Sequence, residues 1–141
     1  MTTPQFSEHA AAVEALREGA GGSTAHRLVI LAFVDQWAPP AYATAVGLES
    51  IRAQVQAYAS IFIVDATAER DAAHDAGVLA TPALLFFWEG QQAIVSRPAW
   101  DDDDKYSGAV PADRLVEIIR HARDCFVKQA REGGRLVVAV E

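Results

Sequence analysis

Apolar residues of this chain occur in two patterns, as short continuous runs and as residues spaced three or four positions apart. Three continuous runs have the length of strands buried on both faces of a sheet: Leu28–Val34, residues 61–64, and Ala83–Trp88. After the third run, Glu89 and Gly90 favour a tight turn into residues 91–96, which predicts a hairpin. The apolar segment 136–140 predicts one further strand.

The spaced apolar residues predict four helices, each with one buried face. The first is predicted to begin after a capping Ser7 and to end near Glu18. Its buried face would contain Val13 and Leu16. The other three helices are predicted in the following segments: 41–58, 68–76 after a capping Thr67, and from Pro111 to the Gly133-Gly134 pair.

These elements alternate as α-β-α-β-α-β-β-α, followed by the apolar tail. Strand–helix–strand units place their strands in parallel through right-handed crossovers, whereas the hairpin adds an antiparallel partner. The 141 residues show no internal repeat and no domain boundary. We therefore predict one α/β domain over residues 1–141, with a mixed central sheet flanked by helices. Residues 1–6 would form an N-terminal tail, and residues 132–141 a short C-terminal extension.

The formal net charge of −7 at pH 7 opposes the approach of nucleic-acid phosphates to the domain as a whole. Cations are nevertheless concentrated near the C-terminus: Arg114, Arg120, Arg123, Lys128, Arg131 and Arg135. This cluster is either a solvated helix face, whose cations suit the C-terminal end of a helix, or a local RNA contact. No apolar run approaches the roughly 20 residues of a membrane helix, and the first ten residues do not resemble a signal peptide. We expect no membrane association.

Two short segments resemble the active-site turns of thioredoxin-like proteins. The segment Trp37-Ala38-Pro39-Pro40-Ala41 is similar to their W-C-G-P-C turn, and Thr81-Pro82 is similar to their cis-proline turn. Alanine stands at both cysteine positions, and Ala32 stands where the family buries an aspartate. Disulfide exchange needs a thiolate and a second sulfur to resolve the mixed disulfide. The resemblance therefore implies a thioredoxin-like fold without the redox chemistry, and we expect no enzymatic activity.

Other reactive side chains are sparse. Cys125 is the single cysteine, and it lies beside the apolar stripe of the last helix, where a small core residue is expected. One hypothesis is an enzyme that uses Cys125 as its nucleophile, although the sequence shows no partner residue for it. The histidines are scattered singly without the spacing of metal ligands: His9, His26, His74 and His121. We expect no metal and no cofactor.

Four segments together resemble the Dim family, the small thioredoxin-like proteins of the spliceosomal tri-snRNP and their paralogues in pre-mRNA splicing. They are 37–41, similar to W-D-P-x-C; 61–67, similar to I-Y-L-V-D-x-T; 85–88, similar to a run of aromatics; and 130–138, similar to A-R-x-G-R-G-L-V-V. The chain departs from this pattern at Ala38 and Ala41, where the family has an acidic residue and a cysteine. Pro82 matches the paralogue branch, because the core tri-snRNP branch has cysteine there. The sequence does not decide between the core tri-snRNP branch and the paralogue branch.

This resemblance implies a non-catalytic splicing subunit that acts through protein–protein contacts in the nucleus. Its partners would be spliceosomal proteins, with no direct specific binding of nucleic acid, and the chain is expected to be a monomer. The alternative is a redox-inactive thioredoxin-like chaperone or assembly factor of another complex.

The candidate partner contacts are Trp37, Trp100, Arg131 and Arg135. The turn at 37–41 is interpreted either as a rigid apolar contact in a peptide groove or as an inert turn packed on the sheet. Trp100 precedes four aspartates at 101–104, and its ring is expected either to fold back onto the domain or to anchor a partner.

Overall fold

Four helices and seven strands occur in residues 2–141, the part of the chain that the computed structural model describes. The helices are His9–Ala20 (α1), Pro39–Val55 (α2), Arg70–Asp75 (α3) and Ala112–Glu132 (α4). The strands are Leu28–Val34 (β1), Ser60–Asp65 (β2), Ala83–Trp88 (β3), Gln91–Gln92 (β4), Ile94–Ser96 (β5), Tyr106–Ser107 (β6) and Val137–Ala139 (β7).

The central sheet has the strand order β2-β1-β3-β4. Strand β1 pairs in parallel with β2 and antiparallel with β3, so the sheet is mixed. Both β4 and β6 pair with the other edge of β3, β4 at its end and β6 at its start. This arrangement confirms the predicted mixed sheet flanked by helices.

Every residue of β1 is buried, because helices cover both faces of the sheet. Ile30 and its alternate neighbours pack in a cluster that contains the apolar faces of α2 and α4. Phe33 and the residues alternating with it pack in a second cluster with α1 and α3. A continuous apolar strand is expected in such a position, because neither face meets water.

The first helix begins later than predicted. Helix α1 has Glu8 as its N-cap residue, whose side chain makes no capping hydrogen bond; the carboxylate of Glu69 accepts the N–H of His9. Ser7 instead donates its backbone N–H to the carbonyl of Ile63 at 2.7 Å, which fastens the N-terminal segment to the edge of β2. The prediction of a Ser7 cap was wrong, because pairing with a strand distant in sequence took that residue out of the helix.

The buried face of α1 also differs from the prediction. Its buried residues are Ala12, Ala15 and Gly19, whereas Val13 is 38% exposed; Leu16 is partly buried and packs against the core as predicted. Small residues on this face let the helix approach the sheet closely. A Cβ at Gly19 would lie only 2.2 Å from the carbonyl oxygen of His26.

The predicted Thr67 cap is also wrong. Helix α3 begins at Arg70, and no side chain caps it. The carboxylate of Asp65 accepts the backbone N–H groups of Thr67 and Ala68 at 2.9 and 3.3 Å, which holds these residues in a turn before the helix. Aspartate stabilises such turns because its short side chain reaches backbone donors two or three residues ahead.

The predicted hairpin arm at 91–96 is divided into two strands. After Ala93, whose N–H still donates to the carbonyl of Phe86, the chain leaves β3, and β5 pairs in parallel with β7, the strand predicted in the C-terminal tail. The side-chain amide of Gln129 in α4 donates to the carbonyl of Val137 and accepts its N–H, both at 2.8 Å. The C-terminal extension is therefore bound to the domain by a strand on one side and by a helix on the other.

Candidate functional site

The turn after β1 and the loop before β3 lie at the same end of the sheet. Phe33 near the end of β1 is paired with Ala83 at the start of β3, so the segment that follows Val34 meets the segment that precedes Ala83. The peptide bond between Thr81 and Pro82 is cis, the conformation expected from the resemblance. The structure therefore brings the segments 37–41 and 81–82 together.

The 37–41 segment is partly exposed and partly built into the core. Asp35 fixes its start, because its carboxylate accepts the backbone N–H of Trp37 at 2.9 Å. The prolines occupy the first two positions of α2, where a helix does not need their missing N–H groups. The Trp37 side chain is 78% exposed, whereas Ala41 is fully buried. Trp37 is thus available for contact, and Ala41 is a packing residue.

A groove of about 580 Å³ lies beside this turn. It is lined by the following residues: Asp35, Ala66, Thr67, Arg70, Ala73, His74 and the loop 77–81. Leu79 in that loop is 99% exposed, the most exposed of the large apolar side chains. No sequence motif marks Leu79; its place in the loop that leads into Thr81-Pro82 was the available signal.

Thr81 has backbone groups available for a ligand. Within residues 2–141, no hydrogen bond engages the N–H or the carbonyl of Thr81. The next carbonyl, that of Pro82, accepts the N–H of Gly108 at 3.0 Å. Backbone polar groups need a partner when they are removed from water. An extended chain bound in the groove would supply one to Thr81.

Trp100 is held by a stack of side chains and is still largely exposed. The guanidinium carbon of Arg97 lies 4.4 Å from the centre of the Trp100 ring and 4.0 Å from that of Tyr106. Arg97 also donates to the carbonyl of Ser107 at 3.1 Å. The Trp100 side chain is 63% exposed. Both interpretations of Trp100 therefore describe part of its position: one ring face rests on the domain, and the remainder meets solvent.

The stack places Trp100 toward the same end of the sheet as Pro82, since Ser107 is paired with Ala83. The turn that carries Trp100 contains Ala99 with a φ of 64°, a left-handed conformation that is uncommon for a residue with a side chain. No sequence pattern indicated the role of Arg97, because the ring of Tyr106 that it contacts lies nine residues further along the chain.

The four aspartates at 101–104 divide into two pairs. Asp103 and Asp104 contact the ammonium group of Lys105, whose side chain is 9% exposed. Asp101 and Asp102 are exposed. Burial alone would raise the pKa of Asp103, but hydrogen bonds with Asp104 and the Lys105 charge outweigh it and lower that pKa. Burial would likewise lower the pKa of Lys105, but the hydrogen bond and charge of Asp104, together with Asp103, raise it.

Replacing Lys105 with Met should reduce the free energy of unfolding by about 1 kcal/mol at pH 7, because the aliphatic stem stays and the ion pair is lost. Because the pKa of Asp103 is lowered in the folded protein, this carboxylate contributes fully to stability above its unfolded-state pKa of about 3.9. The contribution is lost as the pH falls through the lower folded-state pKa. Because the pKa of Lys105 is raised in the folded protein, its ammonium group contributes fully to stability below its unfolded-state pKa of about 10.4. The contribution is lost as the pH rises through the higher folded-state pKa.

Urea titrations at a series of pH values between about 3 and 7 would measure this contribution. The difference between wild type and Lys105→Met should narrow as the pH falls below about 4. Lys128→Met, at an exposed lysine without an ion pair in residues 2–141, is the control and should have no effect. A difference that is equal at every pH would contradict the assignment.

The match to a family model decides the family of this chain. A model described as Thioredoxin matches residues 22–121, well over half of the sequence. The chain belongs to the thioredoxin family. No curated protein sequence is significantly similar to it.

Three solved structures, two of them thioredoxins, are similar in fold to this chain. Thioredoxin of Fasciola hepatica is 23% identical with a TM-score of 0.61, and the alignment covers 84% of this chain and 97% of that one. The germline-specific thioredoxin Deadhead of Drosophila melanogaster is 14% identical with a TM-score of 0.60 and the same coverage. Human ERp44 is 15% identical with a TM-score of 0.60, and the alignment covers 80% of this chain and 31% of that one.

Arg131 and Arg135 lie away from the Trp37 turn of this thioredoxin-family domain. They flank the Gly133-Gly134 pair, which lines a cavity of about 320 Å³ together with Trp88 at the far end of β3. The start of β3, in contrast, adjoins Pro82. The structure therefore does not join the two arginines and Trp37 into one site.

Cys125 has a neighbour that was not predicted from the sequence. Its sulfur lies 3.4 Å from Nε2 of His121, one helical turn earlier, and the four-residue spacing was the available signal. Burial, helped by the charge of Asp124, raises the pKa of the Cys125 thiol above its ordinary value. A nucleophilic cysteine needs a lowered pKa, so this pair is poorly suited to nucleophilic catalysis.

Two further observations concern residues 2–141 as a whole. No group of three or more His, Cys, Asp or Glu side chains is arranged to hold a metal ion in that part of the chain. None of its helices combines the length and the apolar character needed to cross a bilayer.

Proposed function

We propose that this thioredoxin-family chain acts by binding and not by catalysis. The observation that carries the proposal is the presence of alanine at both positions, 38 and 41, where the resembling turn of thioredoxins has its redox sulfurs. Without sulfur at either position, the turn has no nucleophile and no resolving group. What it retains is an exposed surface, here called the Trp37–Thr81 surface and consisting of Trp37, Leu79 and Thr81.

The chemistry of this surface suits an extended peptide. Trp37 and Leu79 offer exposed apolar side chains. The backbone of Thr81 offers one donor and one acceptor, which are the groups that an added strand would pair with. The prolines that begin α2 keep the turn rigid, so little conformational freedom is lost when a partner binds.

We further propose that the partners are proteins of the pre-mRNA splicing machinery and that the chain acts in the nucleus as a monomer. The resemblance of residues 61–67 and 130–138 to the Dim family supports this assignment. The net charge of −7 favours attachment through proteins over attachment through RNA.

Affinity purification of the tagged protein from cells of its source, with and without nuclease, tests this proposal. We expect splicing proteins to be recovered in both samples, and the isolated protein to show no specific RNA binding at physiological salt. Loss of these proteins after nuclease would contradict attachment through proteins. The basic end of α4, with Arg131 and Arg135, would then be the better candidate contact.

A redox-inactive chaperone or assembly factor is the second candidate. The nearly complete exposure of Leu79 favours it, because exposed apolar side chains can also hold unfolded segments of many proteins. Purification would then recover components of another complex, and the protein would slow the aggregation of heat-unfolded clients. A Leu79→Ser variant should lose that effect if this alternative is correct.

A further inference from the structure

Helix α3 separates its charges between two faces. Arg70 and His74 are one helical turn apart, and both line the groove beside Thr81. Asp71 and Asp75 share the same spacing, but neither lines that groove. The short helix therefore presents basic side chains to the groove and keeps its acidic ones elsewhere.

The two basic side chains are available to a ligand. Arg70 and His74 are both exposed. In residues 2–141, neither takes part in an ion pair or a side-chain hydrogen bond. The carboxylate that does line the groove, that of Asp35, already accepts the N–H of Trp37. On the surface of a protein with a net charge of −7, a basic group indicates a local preference for acidic ligands that the rest of the surface does not share.

The rest of the groove is apolar or belongs to the backbone. Ala66, Ala73 and Val78 line it together with Leu79, and Thr81 contributes its unpaired backbone groups. Its volume of about 580 Å³ is within the range of roughly 300–1,000 Å³ that is usual for ligand pockets. The groove thus offers a guanidinium group, an imidazole, an apolar contact and a backbone donor–acceptor pair next to one another.

We propose that this groove selects an extended peptide segment in which an acidic side chain lies close to an apolar one. The acidic group pairs with Arg70 and His74, the apolar group contacts Leu79, and the peptide backbone pairs with Thr81. Arginine can bind a carboxylate through two parallel hydrogen bonds, which gives direction as well as affinity. The proposal rests on the binding function proposed above, and it adds the chemical class of the bound segment.

A phage-displayed library of random dodecapeptides, selected on the intact wild-type protein, tests this proposal. We expect the selected peptides to be enriched in Asp and Glu near Leu, Ile or Phe. The most enriched peptide is then synthesised with a fluorescent label, and its affinity is measured by anisotropy. Arg70→Glu should weaken its binding about tenfold, as expected for a charge-assisted contact replaced by repulsion.

Arg120→Glu is the matched control, because it makes the same change of charge at an exposed arginine of α4 outside the groove, and it should leave the affinity within about twofold. Selected peptides without acidic residues, or an equal loss of peptide affinity in Arg70→Glu and Arg120→Glu, would overturn the inference. If the selected peptides nevertheless bind Trp37→Ala more weakly than wild type, the proposed binding function stands, but the preference for an acidic segment does not. If no peptide is selected at all, both fail.

Discussion

Insulin reduction by dithiothreitol is expected to run at its uncatalysed rate in the presence of this protein and to accelerate after Ala38 and Ala41 are both replaced by cysteine. Ala38 is half-buried at the N-terminal end of α2, where a thiolate is stabilised by the helix dipole. Ala41 is fully buried one turn later, a position suited to a resolving thiol. The double variant would thus regain an attacking and a resolving sulfur on the same scaffold.

The single variants are the controls for this experiment. Ala38→Cys alone would form mixed disulfides that it does not resolve, so turnover should remain close to the uncatalysed rate. The larger side chain at position 41 should cost about 1–2 kcal/mol of stability, which thermal unfolding would register. Acceleration by the wild-type protein that disappears in Cys125→Ser would contradict the absence of redox chemistry.

Replacing Gly90 with Ala is expected to destabilise the fold by about 3 kcal/mol. Gly90 has a φ of 82° in the turn between β3 and β4. A Cβ at this position would lie 2.6 Å from the Cβ of Ala20 and 2.9 Å from the carbonyl oxygen of Leu16. The loss of stability therefore has two parts, the strain of a left-handed backbone at an alanine and the collision of its Cβ with α1.

Gly133→Ala separates these two costs. Gly133 has a φ of 72°, but nothing lies within 4 Å of a Cβ built there. Its replacement should cost only the left-handed backbone, about 1 kcal/mol. Urea denaturation of both variants measures the difference. If the two glycines cost the same, α1 does not pack against the hairpin as closely as the structure shows.

The buried strands were the most predictable part of the fold. The strands Leu28–Val34 and Ala83–Trp88 have the bounds that their apolar runs predict. The reason is physical: a strand covered on both faces has no polar positions, so its limits are visible in the sequence. Helix α4 ends at Gly133, which takes the left-handed conformation expected of a glycine at a helix end.

The errors concern residues whose roles are set by distant contacts. Ser7 and Thr67 are good capping residues by type, but the pairing of Ser7 with Ile63 and the reach of Asp65 decide their conformations. The hairpin arm divides after Ala93 because β7 offers a second pairing partner to the strand that begins at Ile94. Residue-type preferences did not reveal these contacts. Ile63 and β7 lie far from their partners in the sequence, and the contact of Asp65 depends on the turn that follows it.

The candidate site was predictable at its ends and not in its interior. Trp37 and Thr81 were visible because their segments resemble known turns. Arg70 and Leu79 line the groove that ends at Thr81, and no motif marks either of them. Arg131 was grouped with Trp37 as a contact, and only the position of the Gly133-Gly134 pair beside Trp88 shows that it lies elsewhere.

The most direct test of binding without redox chemistry is the recovery of partner proteins by three forms of the tagged protein, wild type, Cys125→Ser and Trp37→Ala, from lysates treated with nuclease and a thiol-alkylating reagent. Trp37→Ala should keep the stability of the fold within about 0.5 kcal/mol, because the side chain is 78% exposed. We predict equal recovery by wild type and Cys125→Ser, and strongly reduced recovery by Trp37→Ala. Partners that remain with Trp37→Ala, are lost with Cys125→Ser and are released by dithiothreitol would contradict the account.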